Sequence, residues 1–303
     1  MLNVELPYRG SPAIKRIRSL LKKLSGQTSP LIITGELGVG KFLLATRIHA
    51  NSLLKNHPFE SVDFSNLREH EQRIRLLGGS PPDLPTTRRS VLECPTTVVL
   101  KHIDYAPNFL QERISEALFN RTITRLGTKN QQPVRCRIIF ISENNPSILS
   151  KEGRLLPALY KAMKKYRTVL LPPLEKHKED IPELVQHFVA QYQIQRYKNI
   201  DRAFIELLKK HRWESNILGL KAFIKSYYVP PDDEAIRQKE RIEIAKIQLL
   251  IQEHREFSLK ESFTKIEKAF VRQTLIEYGG KQVKAAQSLG MADRKIRHLL
   301  NSA

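Results

Sequence analysis

Cysteine is scarce in this sequence, which holds only Cys94 and Cys136 among 303 residues. Two thiols form neither a disulfide framework nor a four-ligand zinc site, so a small secreted scaffold and a cysteine-based metal site are excluded. The start of the chain lacks the charged-then-apolar pattern of a signal peptide, and no apolar run approaches the roughly 18 residues that span a bilayer. We therefore expect a cytoplasmic protein with no metal site and no membrane partner.

Acidic residues are also in short supply. The chain has 31 Asp and Glu against 51 Lys and Arg, which gives a formal net charge of +20. A surface field of this sign attracts polyanions, nucleic acid first and an acidic membrane second. A basic protein with no such partner is the alternative that the composition alone leaves open.

Short apolar, β-branched segments alternate with helical ones over the first part of the chain. Helices are predicted at residues 13–24 and 108–119, and strands at residues 31–34, 61–64, 97–100, 137–142 and 168–171. Strands that alternate with helices are typical of an α/β fold with a mostly parallel sheet covered on both faces.

The pattern changes after the Pro172-Pro173 pair, which marks a break. From there the apolar spacing is helical at residues 181–192, 201–211 and 217–226, and a highly charged stretch follows. The predicted domains are an α/β domain at residues 1–171, a helical lid at 172–229, a charged linker at 230–257 and a small all-helical domain at 258–303.

A glycine-rich loop lies between the first strand and the next helix. Residues 35–41 read G-E-L-G-V-G-K and fit G-x-x-x-x-G-K, in which backbone N–H groups and a helix N-terminus face phosphate oxygens and the lysine reaches the outer phosphates. ATP is the candidate ligand, and a retained turn without nucleotide is the alternative. The predicted nucleotide-binding residues are Gly35, Gly38, Val39, Gly40, Lys41 and Phe42, the last in the place where such loops put a magnesium-holding Ser or Thr.

Several ordered segments resemble a known family. They are T-G-E-L-G-V-G-K-F, H-P-F-E-S-V-D-F, R-C-R-I-I-F-I-S, L-P-P-L-E-K-H-K-E-D-I-P-E-L and H-R-W-E-S-N-I-L-G-L. They are similar to the AAA+ domain of sigma-54-dependent transcription activators, over roughly residues 10–228. The resemblance implies a P-loop three-layer sandwich plus a helical lid, and a self-associating protein.

The chain departs from this family at its second acidic motif. The family's G-T-L-F-L-D-E-I corresponds to T-T-V-V-L-K-H-I here, so the magnesium-holding aspartate aligns with Lys101 and the water-activating glutamate with His102. Asp104 is not a substitute, because side chains alternate along a strand. We therefore expect a degenerate site without magnesium or turnover. As an alternative role, Lys101 places its own ammonium where the metal would lie and supports binding without hydrolysis.

Other family features are absent as well. The sigma-contacting G-A-F-T-G-A loop should lie between Gly79 and Val91, where the chain has a proline-rich segment instead. The places of the arginines that act on a neighbour's nucleotide hold Leu156 and Ala162, and the lid arginine aligns with Leu218. Because an arginine finger alone is worth about 10³–10⁵ in rate, these losses predict a protein that is not an ATPase.

Residues 258–303 resemble the Fis-type helix-turn-helix domain that ends these activators. A second helix is predicted from Gln282, then a Gly290-Met291 turn and a third helix at residues 292–300, with Ile296 facing the core. The matching register implies contacts with double-stranded DNA, and an ordinary solvated basic face is the alternative. The candidate DNA-binding residues are Arg294, Lys295, Arg297 and His298.

The sequence thus favours a DNA-binding bacterial transcriptional regulator that forms a dimer or larger homo-oligomer. Two other functions stay open. One is an active but divergent ATPase that activates sigma-54 polymerase. The other is a non-catalytic scaffold that contacts RNA polymerase or modulates a true activator.

Overall fold

The computed structural model describes residues 11–79, 89–129, 131–192, 202–228, 271, 282–288 and 296. Its helices are α1 Pro12–Ser25, α2 Lys41–Ala50, α3 Glu69–Leu77, α4 Asn108–Asn120, α5 Pro146–Lys151, α6 Pro157–Met163, α7 Ile181–Gln191, α8 Arg202–Lys210, α9 Asn216–Tyr228 and α10 Gln282–Ser288. Its strands are β1 Leu31–Thr34, β2 Phe59–Asp63, β3 Thr97–Lys101, β4 Thr122–Thr124, β5 Gln131–Pro133, β6 Arg137–Ser142 and β7 Arg167–Leu170. Short 3-10 helices lie at Ile103–Tyr105 and Leu174–Asp180.

Five strands form one parallel sheet in the order β2-β3-β6-β1-β7. The central strands β1 and β6 are buried along their whole length, because helices cover both faces of such a sheet. Parallel pairing brings the carboxyl ends of all five strands to one edge. The predicted α/β fold with a mostly parallel sheet is confirmed.

The first helix shows how local sequence sets an element. Ser11 caps α1, since its side chain accepts a hydrogen bond from the N–H of Ile14, and Pro12 occupies the first turn, where a missing N–H costs nothing. The buried side chains of Ile14, Ile17 and Leu24 lie at helical spacing and form the apolar face.

A buried carboxylate ties the start of α1 to the segment that precedes α7. One Asp180 oxygen accepts a hydrogen bond from the Ser11 N–H at 2.8 Å, and the other lies 3.1 Å from His177 Nδ1. Asp180 is fully buried, so both of its oxygens depend on these partners rather than on water. The contact joins the beginning of the α/β layer to the beginning of the helical segment.

The chain divides into two compact units, Met1–Ile200 with Trp213–Tyr228, and Asp201–Arg212 with Val229–Ala303. Helices α7 and α9 of the predicted lid therefore belong to the first unit, and α8 belongs to the second. The proposed domain limits stay a prediction. Within the described part of the chain, no helix combines the length and the apolar character needed to cross a bilayer.

Candidate nucleotide-binding site

The glycine-rich loop joins β1 to α2 at the carboxyl edge of the sheet. Gly35, Gly38 and Gly40 all have positive φ, and Gly40 precedes α2 without a side-chain cap. No side chain at the N-cap position accepts a hydrogen bond from the first N–H groups of α2. A helix start of this kind can receive an anion. The predicted loop residue Val39 is buried, with an exposed fraction of 2%.

Lys41 folds back onto its own loop. Its Nζ donates to the carbonyl oxygens of Gly35 at 2.6 Å and of Glu36 at 2.7 Å. Burial lowers the pKa of Lys41, and the negative charges of Glu143 and Glu36 oppose that shift. Glu143 follows the carboxyl end of β6 and was missed in the sequence analysis. Its position after a strand that neighbours β1 is the signal that could have found it.

Phe42 and Lys101 are in direct contact. The Nζ of Lys101, the last residue of β3, lies 4.1 Å from the centroid of the Phe42 ring, which is a cation–π geometry. The Phe42 ring also packs on Phe59 with a centroid distance of 5.6 Å. In P-loop proteins, the residues at these two places supply a hydroxyl and a carboxylate to magnesium. A phenyl ring and an ammonium offer no oxygen ligand, so these residues do not fit a divalent cation.

His102 is held in the left-handed conformation, with φ 53° and ψ 49°. Its Nδ1 lies 2.9 Å from Asp63 Oδ1 and 3.2 Å from Ser65 Oγ, which itself donates to Asp63 Oδ1 at 2.7 Å. Burial raises the pKa of Asp63, but hydrogen bonds from His102 and Ser65 outweigh it and leave the pKa below its usual value. Both partners use the same ring nitrogen, so the three residues do not form a Ser-His-Asp relay, which needs both nitrogens.

Asp104, the nearest carboxylate after β3, is already engaged. It forms an ion pair with Arg154, and its side chain is 6% exposed against 40% for the arginine. The carboxylate therefore serves a structural contact and is not free to replace the aspartate that aligns with Lys101. Asp104 lies in the 3-10 helix Ile103–Tyr105, after β3 has ended at Lys101, so the alternation of side chains along a strand does not apply to it. Across the described residues, no group of three or more His, Cys, Asp or Glu is placed to hold a metal ion.

The turn that opens α9 lies on the glycine-rich loop. The Asn216 side chain donates to the Leu37 carbonyl at 2.9 Å and to Glu36 Oε2 at 3.1 Å, and accepts from the Leu174 N–H at 2.7 Å. The Leu218 N–H donates to the Gly38 carbonyl at 3.3 Å. One amide thus holds the loop and the entry to the helical segment together.

The three positions that align with family arginines, Leu156, Ala162 and Leu218, differ from one another in their exposure to solvent. Leu218 is 52% exposed and carries no charge, and Ala162 is 1% exposed in the core against α4. A residue buried at Ala162 cannot present a side chain to a neighbouring subunit. Leu156, at the other place, is partly buried against the same core.

All of the predicted DNA-binding residues lie outside the described residues. This applies to Arg294, Lys295, Arg297 and His298, and also to residues 80–88 of the segment where the sigma-contacting loop was expected. Two described residues of this segment are buried, and the helix-turn-helix itself stays a prediction. Ile296 is fully buried and Ala286, in α10, is 5% exposed.

A parallel sheet of this order, with a P-loop after β1 between β6 and β7, is typical of a P-loop domain of the AAA+ type. Residues 8–168 match the family model described as the sigma-54 interaction domain, and residues 175–256 match the AAA+ ATPase lid domain. The chain therefore belongs to the sigma-54 interaction domain family and is related to sigma-54-dependent transcriptional regulators.

Curated relatives and solved structures are consistent with this assignment. The chain is 27% identical to regulatory protein AtoC of Escherichia coli K12, over 96% of this chain and 66% of AtoC, and 28% identical to the DNA-binding transcriptional regulator NtrC of Azospirillum brasilense, over 73% and 47%. It spans about half to two thirds of the length of such relatives. The fold is similar to NtrX of Brucella abortus in complex with ADP, with a TM-score of 0.69 at 24% identity, covering 99% of this chain and 69% of NtrX.

Proposed function

We propose that this protein is a DNA-binding transcriptional regulator whose AAA+ domain binds a nucleotide without hydrolysing it. The relation to AtoC and NtrC supports the regulatory role. The observation that carries the loss of hydrolysis is the contact between Phe42 and Lys101. A hydrolysing site needs two oxygen ligands for magnesium at these places, and this chain has the aromatic ring of Phe42 in contact with the ammonium of Lys101.

Further residues support the absence of turnover. His102 takes the place of the water-activating glutamate, and Leu218 and Ala162 take places that the family resemblance gives to arginines. A protein contributes to phosphoryl transfer mainly by stabilising the charge that develops in the transition state. With the metal ligands and the arginines gone together, little of that stabilisation is left.

Nucleotide binding is supported by the parts of the site that are retained. The glycines of the loop have positive φ values, and the Lys41 Nζ lies at the loop, where it donates to the Gly35 carbonyl. In the crystal structures of NtrX from Brucella abortus, one complex contains ADP and another contains ATP. Since these matches are 24% identical, they support the fold here and only suggest the ligand.

The proposed partners are double-stranded DNA, further copies of this chain, and RNA polymerase or a true activator. The net charge of +20 supports the first. A cytoplasmic location follows from a DNA partner. The missing G-A-F-T-G-A segment argues that the protein does not remodel a sigma-54 polymerase in the manner of the active family members.

One rival has its own observation in its favour. The hydrogen bond from His102 Nδ1 to Asp63 orients the imidazole as a carboxylate orients the base in many hydrolases. A divergent ATPase that uses His102 as the base would exploit this pair. The rival predicts that turnover depends on His102.

Nucleotide binding and phosphate release should be measured together on the full chain, with Lys41→Ala as the site control. The expected result is saturable binding that Lys41→Ala removes and no phosphate release above that of the variant. Turnover that both Lys41→Ala and His102→Ala abolish would establish the rival. An absence of binding would refute the nucleotide part of the proposal.

DNA binding is tested by the double variant Arg294→Ala/Arg297→Ala. Its control is Arg16→Ala/Arg135→Ala, which removes the same charge from exposed positions in the first unit. The proposal expects the first variant alone to weaken binding and to reduce the slope of affinity against salt by about two, roughly one per phosphate contact. Equal behaviour of the two variants would favour the scaffold instead.

A further inference from the structure

Magnesium at a P-loop does two things for the bound phosphates. It supplies positive charge next to the β and γ groups, and it is fixed there by a carboxylate and a hydroxyl. Here both fixing residues are replaced, and the two replacements, Phe42 and Lys101, touch each other. They form one local arrangement rather than two unrelated losses.

The local charge is conserved by this exchange. An aspartate with a bound magnesium ion contributes one net positive charge, because two positive charges meet one negative charge. The Lys101 ammonium contributes the same net charge without a metal. The replacement of a glutamate by His102 removes one further negative charge from the edge of the sheet.

The Lys101 ammonium is available to a ligand. Among the described residues, no carboxylate lies within ion-pair distance of Lys101, in contrast to Arg154 with Asp104. The Lys101 ammonium lies over the face of the Phe42 ring. The ring covers one side of the ammonium and does not neutralise the positive charge of Lys101. A lysine ammonium has three N–H donors, so donors remain for phosphate oxygens.

Lys101 is also at the right edge of the sheet. It ends β3, and Phe42 is the second residue of α2, directly after Lys41 at the glycine-rich loop. The contact with Phe42 therefore brings the ammonium to the start of the helix that faces the phosphates. Lys41 and Lys101 become two cations on one phosphate-binding surface.

From this arrangement we propose that the site binds the phosphates of a nucleotide without a divalent cation, with the Lys101 ammonium in the role of the metal. The inference rests on the proposed nucleotide binding and adds to it how the phosphate charge is balanced. It makes a prediction opposite to that for an ordinary P-loop protein, in which chelation of magnesium weakens the binding of a nucleoside triphosphate.

The test is a titration of the full chain with mant-ATP, a fluorescent ATP analogue, in EDTA and in magnesium. The expected dissociation constants agree within about fivefold under the two conditions. Magnesium that tightens binding by more than about fivefold would overturn the inference and leave the proposed nucleotide binding intact. No binding under either condition would refute the proposed nucleotide binding itself, so the two failures are distinguishable.

A matched pair of variants tests the role of Lys101. Lys101→Met keeps an unbranched stem on the Phe42 ring and removes the charge, and Lys55→Met removes the same charge at an exposed position away from the loop. In EDTA, Lys101→Met is expected to lose about 10- to 100-fold in affinity, the range of a charge-assisted hydrogen bond, while Lys55→Met stays at the wild-type value. Equal affinity of both variants would overturn the inference.

The reciprocal variant restores the oxygen ligands. Phe42→Thr with Lys101→Asp supplies a hydroxyl and a carboxylate at the two metal-holding places. Its mant-ATP binding is expected to be weak in EDTA and to be rescued by magnesium, so the sign of the metal effect separates it from the wild type. If this variant does not fold, as judged by circular dichroism, the comparison of EDTA with magnesium on the wild-type chain still decides the inference.

Discussion

The contact between the glycine-rich loop and the turn before α9 predicts a large effect from a single methyl group. A Cβ added at Gly38 would overlap the carbonyl oxygen of Ser215 and lie 2.9 Å from the Cβ of Leu218, at a backbone φ of +77°. Gly127 has nearly the same φ, +74°, and no atom within 4 Å of the added Cβ. Comparison of Gly38→Ala with Gly127→Ala therefore separates backbone strain from the clash.

The expected magnitudes follow from these contacts. Both variants pay about 1–2 kcal/mol for alanine in the left-handed region, offset by about 0.4–1 kcal/mol from the stiffer unfolded chain. Only Gly38→Ala must also displace the turn before α9. This displacement weakens three hydrogen bonds: two from the Asn216 side chain, to Leu37 and to Glu36, and one from the Leu218 N–H to the Gly38 carbonyl. At about 0.5–1.5 kcal/mol for each of these three bonds, the additional loss for Gly38→Ala over Gly127→Ala should reach about 1.5–4.5 kcal/mol.

The assay is urea unfolding followed by tryptophan fluorescence. Trp213 is the only tryptophan in the chain and lies two residues before Ser215, so its emission reports on the turn itself. The expected result is a large decrease of the urea midpoint for Gly38→Ala and a smaller decrease, from backbone strain alone, for Gly127→Ala. Equal midpoints for the two variants would refute the conclusion that the turn packs on the loop.

Three other predictions concern ionisable groups. Arg154→Ala leaves the 6%-exposed carboxylate of Asp104 without its cation, and should lower stability to urea by about 1–3 kcal/mol; Arg154→Lys should recover part of the loss. The pKa of Asp63 in the folded protein lies below its usual value, so the ionised carboxylate stabilises the fold. This contribution is complete above about pH 4, the pKa of an aspartate in the unfolded chain, and is lost as the pH falls through the lower pKa of the folded state. The stability difference between wild type and Asp63→Asn should shrink in acid, and a difference constant from about pH 3 to 7 would contradict this. Burial raises the pKa of Cys136 to about 12, so Ellman's reagent should find at most one reactive thiol, Cys94, in the native protein and two in urea.

The main sheet could be predicted well from the sequence because its strands are continuous, apolar and β-branched. The predicted strands at residues 31–34 and 137–142 agree with β1 and β6, and the others differ by one or two residues at their ends. The hairpin formed by β4 and β5 was not predicted. Its strands have three residues each, with Ile123 as their one apolar side chain, so they are too short to give a periodic signal.

In the candidate site, too, features set by neighbouring residues could be predicted from the sequence, and contacts between distant residues could not. The glycine-rich loop is a contiguous motif, so its proposed role in nucleotide binding could be predicted from its own residues. The contact of Lys101 with Phe42 depends on how β3 packs beside α2, and the field of Glu143 at Lys41 depends on how β6 packs beside β1. Such relations arise from the order of strands in the sheet, which local patterns do not encode.

The pairing of Lys101 with Phe42 also constrains how this lineage can change. Lys101→Asp alone would set a carboxylate against the negative face of an aromatic ring, and Phe42→Thr alone would withdraw the ring from beneath an ammonium. Each single substitution is unfavourable on its own, and only the two together supply both oxygen ligands of a metal. Under the proposal that the site works without a metal, a change to magnesium binding would therefore need both substitutions at once, because either one alone loses this contact.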